Sequence, residues 1–259
     1  MSSKHFNSPP RVIFLTGAGL SADSGVPTFR GEEGFYNGLR AEELLSFRTM
    51  RRSPEVIQRF IDNMRAKMGG AKPNAAHMMI AHLGNEFGDR VVHFTQNIDP
   101  LVELAGYNGT VHLHGFVTRM RPIGNSKVTE DIGFTRYWEG DPSEAPARGF
   151  KFRCPKTGSL MRPDVVLFDE MGPDYPKLYS AAKRLRTQDT FVVIGTQGNI
   201  YPIREAINIA LKMPVTTVLN NLHSSSDIEE DRFDHVFKER AADVASDIEA
   251  LVRERLQAD

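Results

Sequence analysis

Residues 17–30 read Gly17-Ala18-Gly19-Leu20-Ser21-Ala22-Asp23-Ser24-Gly25-Val26-Pro27-Thr28-Phe29-Arg30, directly after an apolar run. Glycines at the end of a strand let the main chain approach a pyrophosphate closely, with amide N–H groups donating to it. Arg30 adds a cation suited to phosphate. Taken alone, Gly17-x-Gly19 fits a tight strand–helix turn in any α/β protein equally well. The spacing narrows the nucleotide chemistry. A hydride-transfer fingerprint needs a third glycine where Ala22 stands, and an acid at the end of the next strand. Here the next strand-like run begins only at residue 90. A Walker-type loop needs Gly-Lys-Ser/Thr, and no lysine lies in this one. A second constellation is Val111-His112-Leu113-His114-Gly115. Imidazole is the side chain whose ordinary pKa suits a base near neutrality. Residues two apart on a strand share a face, so either histidine could look into a cleft.

The elements that must hold these residues can be read from apolar spacing. Short apolar runs at 11–17, 90–97, 164–170, 190–196 and 215–221 predict buried parallel strands. Between and after them, 54–68, 74–87, 175–185, 202–212 and 241–256 carry apolar residues at three- and four-residue spacing and predict helices. Such alternation implies an α/β fold, a Rossmann-like parallel sheet with helices on both faces. Ligands in such sheets bind beyond the carboxyl ends of the strands, where the glycine loop falls. Two stretches break the alternation, 31–70 and 116–162. We read the large domain as 1–34 with 71–115 and 163–259, and a small inserted domain as 35–70 with 116–162.

The chain has 259 residues, 40% hydrophobic and 25% charged, with 32 basic residues against 33 acidic ones. That suits a globular protein and gives no bulk electrostatic reason to expect a nucleic-acid partner. No apolar run is long enough to span a bilayer, and Met1–Pro10 is polar, so no membrane partner and a cytoplasmic location are expected. The oligomeric state is left open. Cys154 is the one cysteine, so neither an internal disulfide nor a cysteine-based zinc site is available.

The segment GAGLSADSGVPTFRG resembles the NAD-binding signature of the sirtuin family over fifteen consecutive residues. Thr95-Gln96-Asn97-Ile98-Asp99 resembles the family's T-Q-N-I-D, and Val111–Gly115 its catalytic-histidine motif. Weaker matches are Pro73–His77, Arg162–Glu170, Gly195-Thr196 and Leu219-Asn220. The resemblance implies an NAD⁺-dependent protein-lysine deacylase that releases nicotinamide and O-acyl-ADP-ribose, with acylated-lysine proteins or peptides as partners and NAD⁺ as co-substrate. It makes His114 the base and Asn97 a catalytic partner. The expected NAD⁺ contacts are Gly17, Ala18, Gly19, Ser21, Asp23, Thr28, Phe29, Arg30, Gln96, Asn97, Ile98, Asp99, Gly195, Thr196, Gln197, Asn220 and Ala241. Gln96 and Asn97 offer donors and acceptors to a ribose, and Asp99 an acceptor for a carboxamide. By analogy, Ile98 and Asp99 hold the nicotinamide. Val165, Val166, Phe168 and Asp169 are expected against the acyl-lysine. His112 is read as supporting, His77 as packing or capping and His93 as core.

The chain also departs from the family. The usual G-T-S is Gly195-Thr196-Gln197, and F-G-E is Phe168-Asp169-Glu170, which would set a carboxylate beside the acyl-lysine. The Tyr-x-x-Arg pair of the branch that removes acidic acyl groups is missing from 60–65, although Arg65 remains. The zinc cysteines are absent, so the aromatic cluster of Phe134, Tyr137 and Trp138 is expected to hold the small domain instead. Rival readings are an NAD⁺-cleaving ADP-ribosyltransferase or hydrolase on the same fold, and a silent NAD⁺ or ADP-ribose sensor. With no metal site expected, the purified protein should carry no stoichiometric zinc. Elemental analysis after dialysis checks this, and about one zinc per chain would contradict the ligand arithmetic of structural zinc.

Overall fold

A computed structural model describes residues 8–28, 41–123, 128–134, 153, 158 and 160–258. Phe29, Arg30, Tyr137, Trp138, Cys154 and Thr157 lie outside these residues, together with the expectations that rest on them. The chain opens with β1 (Val12–Thr16), α1 (Gly19–Ala22), α2 (Ala41–Leu44), α3 (Phe47–Arg52), α4 (Pro54–Met68) and α5 (Ala75–Phe87). Then come β2 (Val91–Thr95), α6 (Leu101–Leu104), β3 (Thr110–His112), β4 (Gly115–Pro122), β5 (Glu130–Asp131) and β6 (Met161–Val165). The last part holds α7 (Tyr175–Lys183), β7 (Thr190–Ile194), α8 (Tyr201–Ala210), β8 (Thr216–Asn220), β9 (His235–Phe237) and α9 (Ala245–Gln257).

Six strands form one parallel sheet in the order β3-β2-β1-β7-β8-β9. All five residues of β1 are buried, as a strand covered on both faces requires. Val12 and Phe14 face one core with Ile80 and Leu83 of α5 and Ile248 and Val252 of α9. Ile13 and Leu15 face the opposite core with Leu178 of α7 and Ile203 and Ile207 of α8. The two-residue period of the strand thus distributes one apolar run between two helical layers. Among the described residues, no helix is long and apolar enough to cross a membrane.

The expected strand at 164–170 is corrected by the structure. Residues 161–165 form β6, which runs antiparallel to β4 in a separate three-stranded sheet, β5-β4-β6. Residues 166–170 leave that sheet. The run Val165-Val166-Leu167-Phe168 is apolar for another reason: Val165 and Leu167 enter a third core, while Phe168 is exposed. That core joins Ile57, Ile61 and Met64 of α4 to Val117 of β4, and Phe134 packs on it. Two three-residue strands edge the sheet: β3, the short strand expected near the histidine pair, which ends at His112, and β9, which was too short to stand out. The last helix begins at Ala245, not at Ala241.

α5 starts on a capping box that reaches into the glycine loop. Asn74 Oδ1 accepts from Ala76 N (2.9 Å) and His77 N (3.3 Å), and Asn74 N donates to His77 Nδ1 (3.2 Å). Asn74 Nδ2 donates to Leu20 O (2.8 Å) and Ser24 Oγ (3.1 Å), tying the helix to the turn beyond β1. Asn74→Ala removes both functions and should lower stability by about 0.5–2 kcal/mol, the range for a lost N-cap. Urea unfolding monitored by far-UV circular dichroism measures it, and an unchanged midpoint would contradict the capping role.

Candidate active site

In the parallel sheet the chain runs from β1 to β2 and β3 on one side, and β7 resumes on the other side of β1. A crevice opens where the strand order reverses, beyond the carboxyl ends of the strands. Thr16 and Ile194 pair at that end, and each is followed by a glycine turn. The two turns touch backbone to backbone. A Cβ on Gly17 would lie 2.7 Å from Gly195 O, and one on Gly19 would lie 2.6 Å from Gly195 Cα. Gly195 itself has φ +65°, which favours glycine. Gly17 N donates to Ile194 O and Gly19 N to Gly195 O, both at 2.9 Å. These two amides therefore join the turns, where the sequence had suggested donation to a phosphate.

A cleft of about 1710 Å³ extends from this contact. Gly17, Ala18, Gly19, Asp23, Thr28, Gln96, Asn97, Ile98, His114, Val165, Val166, Phe168, Gly195, Thr196, Gln197, Asn220 and Ala241 all line it. Three expected residues do not appear on its wall: Ser21, Asp99 and Asp169. Ser21 and Asp99 are buried behind the wall in a closed hydrogen-bond set. His77 Nδ1 accepts from Asn74 N, so its Nε2 carries the proton and faces Ser21 Oγ at 3.2 Å. Asn97 Nδ2 donates to the same oxygen (3.0 Å), and Ser21 Oγ donates to Asp99 Oδ2 (3.0 Å). The hydroxyl thus uses its two lone pairs and its proton. Asp99 Oδ1 accepts from Leu101 N (3.1 Å). Burial raises the Asp99 pKa, opposed by its backbone and Ser21 hydrogen bonds. The network fixes the Asn97 side chain at the cleft.

His112 and His114 part company. His112 ends β3 and turns inward, with Nδ1 at 2.9 Å from Asn97 O and Nε2 at 3.0 Å from Glu103 Oε1. His114 follows β3 and lines the cleft. Its Nδ1 lies 2.8 Å from Gln96 O, which can only accept, so Nδ1 holds the proton and Nε2 presents a lone pair. Nε2 lies 2.8 Å from Tyr175 Oη, a contact 61 positions away in sequence with no spacing signal to reveal it. Burial brings His114 down from 6.5 to about 4, with the Gln96 hydrogen bond opposing and the His112 charge assisting. Gln96 Nε2 in turn donates to Thr196 Oγ1 (2.8 Å), linking the ends of β2 and β7. His93 is a core residue between Thr16 and Thr110 hydroxyls.

Asp169 lies off the cleft wall. Its carboxylate accepts from Phe47 N and Arg48 N (3.3 Å) and so caps α3, with no position on the cleft wall. Glu170 does line the cleft, and Arg162 holds it by two hydrogen bonds of 2.6 and 2.8 Å. Arg65 is fully buried, donating to Val117 O (2.6 Å) and to Asp62 Oδ1, and is not on the wall. Leu45, Ile61 and Met64 bring an apolar wall that sequence motifs did not mark. Asn220 Nδ2 donates to Glu239 O (2.9 Å), and Asp23 accepts from Ala242 N (3.3 Å), closing the far end of the cleft.

Residues 17–202 match the Sir2 family. The chain belongs to it. It is 34% identical over 217 residues to an NAD-dependent protein deacylase of Pasteurella multocida (strain Pm70), covering 83% of this chain and 87% of that one. Its fold matches a solved Sir2 homologue mutant in complex with ADP-ribose, with a TM-score of 0.79, 28% identity, and 97% and 95% of the two chains covered. A Sir2 variant solved with a deacetylated peptide and 3′-O-acetyl-ADP-ribose gives a TM-score of 0.77 at 25% identity, covering 95% and 94%.

In this Sir2-family chain two site histidines are kept neutral by burial, His77 and His114, each lowered to about 4. As pH falls through the ordinary value of 6.5, the unfolded chain binds protons there while the folded chain does not until about 4. Their contribution to stability is therefore complete above about 6.5 and is lost as pH falls toward 4. Urea unfolding between pH 7 and pH 4.5 should show that decline. His77→Gln should flatten it by about one proton; an equally steep decline would contradict burial of a neutral His77.

Proposed function

We propose that this protein is an NAD⁺-dependent protein-lysine deacylase in which His114 is the base and Asn97 orients the ribose. The observation that carries the reading is the His114 imidazole on the cleft wall. Its Nδ1 proton is committed to Gln96 O, and its Nε2 lone pair, 2.8 Å from Tyr175 Oη, lies in the cleft that Asn97 and Ile98 also line. The cleft suits two ligands. Its 1710 Å³ exceeds the usual range for one small-molecule site, about 300–1,000 Å³. The switch-point turns offer close backbone approach, and the amides of Gln96, Asn97, Gln197 and Asn220 line the rest. Bound there, NAD⁺ supplies the electrophilic ribose carbon and nicotinamide as leaving group.

The chain's own residues do the rest. Asn97, fixed from behind by Ser21, holds ribose hydroxyls in one orientation. His114 accepts a proton at Nε2 from a ribose hydroxyl and, being neutral well below pH 7, is ready to do so across the physiological range. Leu45, Ile61, Met64, Val165 and Leu167 exclude water around an uncharged acyl chain. Arg65, turned to Asp62 and Val117, does not line that wall, so an acidic acyl group would lack this anchor. We read the protein as zinc-free.

A paired assay tests the reading: nicotinamide exchange and acyl-peptide consumption on two variants. His114→Ala should cut acyl-peptide consumption by about 10²–10⁴-fold, the range for general-base catalysis, while exchange survives better. Asn97→Ala should impair exchange itself. Deacylation at the wild-type rate by His114→Ala would remove the base. Equal NAD⁺ cleavage with and without acyl peptide would replace the deacylase reading by NAD⁺ hydrolysis or ADP-ribosylation.

A further inference from the structure

The base does not face the cleft alone. Tyr175, the first residue of α7, sends its hydroxyl to within 2.8 Å of His114 Nε2, the atom that must take the proton. The tyrosine ring is 5% exposed and packs in the core beneath β1 with Leu113 and Leu178. It meets the imidazole edge-on, with ring centroids 6.0 Å apart at 79°. Gly172 leaves room for it: a Cβ there would lie 2.9 Å from the tyrosine ring and 2.8 Å from Leu113 O. The contact is therefore built in by packing from two sides.

Because Gln96 O forces the proton onto Nδ1, neutral His114 can only accept at Nε2, and Tyr175 must be the donor. One lone pair cannot serve the tyrosine and a ribose hydroxyl together. From this geometry we infer that Tyr175 is a positioning residue for the base: it occupies Nε2 at rest, holds the imidazole neutral, and yields Nε2 when the ribose hydroxyl arrives. The inference rests on the reading of His114 as base. During turnover the ribose O–H bond breaks and its proton goes to Nε2. The resulting Nε2–H can then donate to a lone pair of the Tyr175 oxygen, which keeps its own proton. Burial supports this, since it pushes the tyrosine up to about 12 and keeps it a phenol. The other groups around His114 do not duplicate the contact. His112 of β3 is held by Asn97 O and Glu103, and Glu170 beyond β6 is held by Arg162, with Arg121 at 3.9 Å. Tyr179, one turn along α7, raises the Tyr175 pKa further.

The test is Tyr175→Phe, which keeps the buried ring and removes only the hydroxyl. The readout is the titration of His114 in the full-length protein, followed by NMR on labelled histidines and assigned with His114→Gln. A donor at Nε2 stabilises the neutral imidazole, so its loss should raise the His114 pKa. A hydrogen bond of ordinary net strength corresponds to about half to one pH unit. The acid limb of acyl-peptide turnover should move up by the same amount, while nicotinamide exchange stays at the wild-type rate. A His114 that titrates at the same pH in both proteins overturns the inference. So does a variant that loses exchange as deeply as deacylation, which marks a packing role alone. If His114 shifts but the wild-type protein consumes no acyl peptide, the contact stands and the deacylase reading fails.

Discussion

Two backbone turns meet at the centre of this molecule with no side chain between them. Gly17 and Gly19 after β1 lie against Gly195 after β7, at contact distances that any Cβ would violate. Everything else in the site is measured from that meeting. It closes the sheet at the point where strand order reverses, so β1, β2 and β7 end at one level. Gln96 after β2 and Thr196 after β7 can then bridge at 2.8 Å. A methyl group at any of the three glycines would push those strand ends apart, and with them the amides and the imidazole that line the cleft.

Behind the wall, a second layer converts backbone placement into side-chain orientation. Ser21 sits where α1, α5 and the turn after β2 converge, and its single hydroxyl is shared by His77, Asn97 and Asp99. A buried hydroxyl with every capability used is rigid, because any rotation leaves a polar group unpaired in a low-dielectric setting. The peptide at Gln96 and Asn97 does similar work through its carbonyls: Gln96 O orders His114 and Asn97 O orders His112. Neighbouring carbonyls on one short turn thus orient two histidines for different purposes.

Much of this was legible in the sequence, for identifiable reasons. The strand runs at 11–17, 90–97, 190–196 and 215–221 were visible because strands buried on both faces read as unbroken apolar segments. Periodicity failed at 164–170 because an antiparallel strand feeding an apolar loop has the same composition as a buried parallel strand. Glycine turns and the residues just after strands, such as Gln96, Asn97 and Thr196, were predictable because α/β sheets gather function there. Ser21, Asp99 and Asp169 carry hydrogen bonds to the protein's own backbone or side chains that no sequence motif marks. Polar residues beside a motif look alike in sequence whether they face inward or outward. Tyr175 was invisible because nothing local marks a tyrosine at the start of one helix as the neighbour of a histidine after a distant strand.

The six-stranded sheet ends on both sides in a strand of only three residues, β3 and β9. An all-parallel sheet with long bare margins would expose rows of unpaired N–H and C=O groups to any passing extended chain. Here β3 offers little length, and its residue His112 is already held by Asn97 and Glu103. On the other margin β9 is bracketed by Asp234, engaged with Thr217, and Lys238, paired with Glu230. Charged flanks and short reach are the features that blunt strand-to-strand recruitment between molecules. The sheet is thereby protected from templating its own aggregation, and its open end remains free for the cleft.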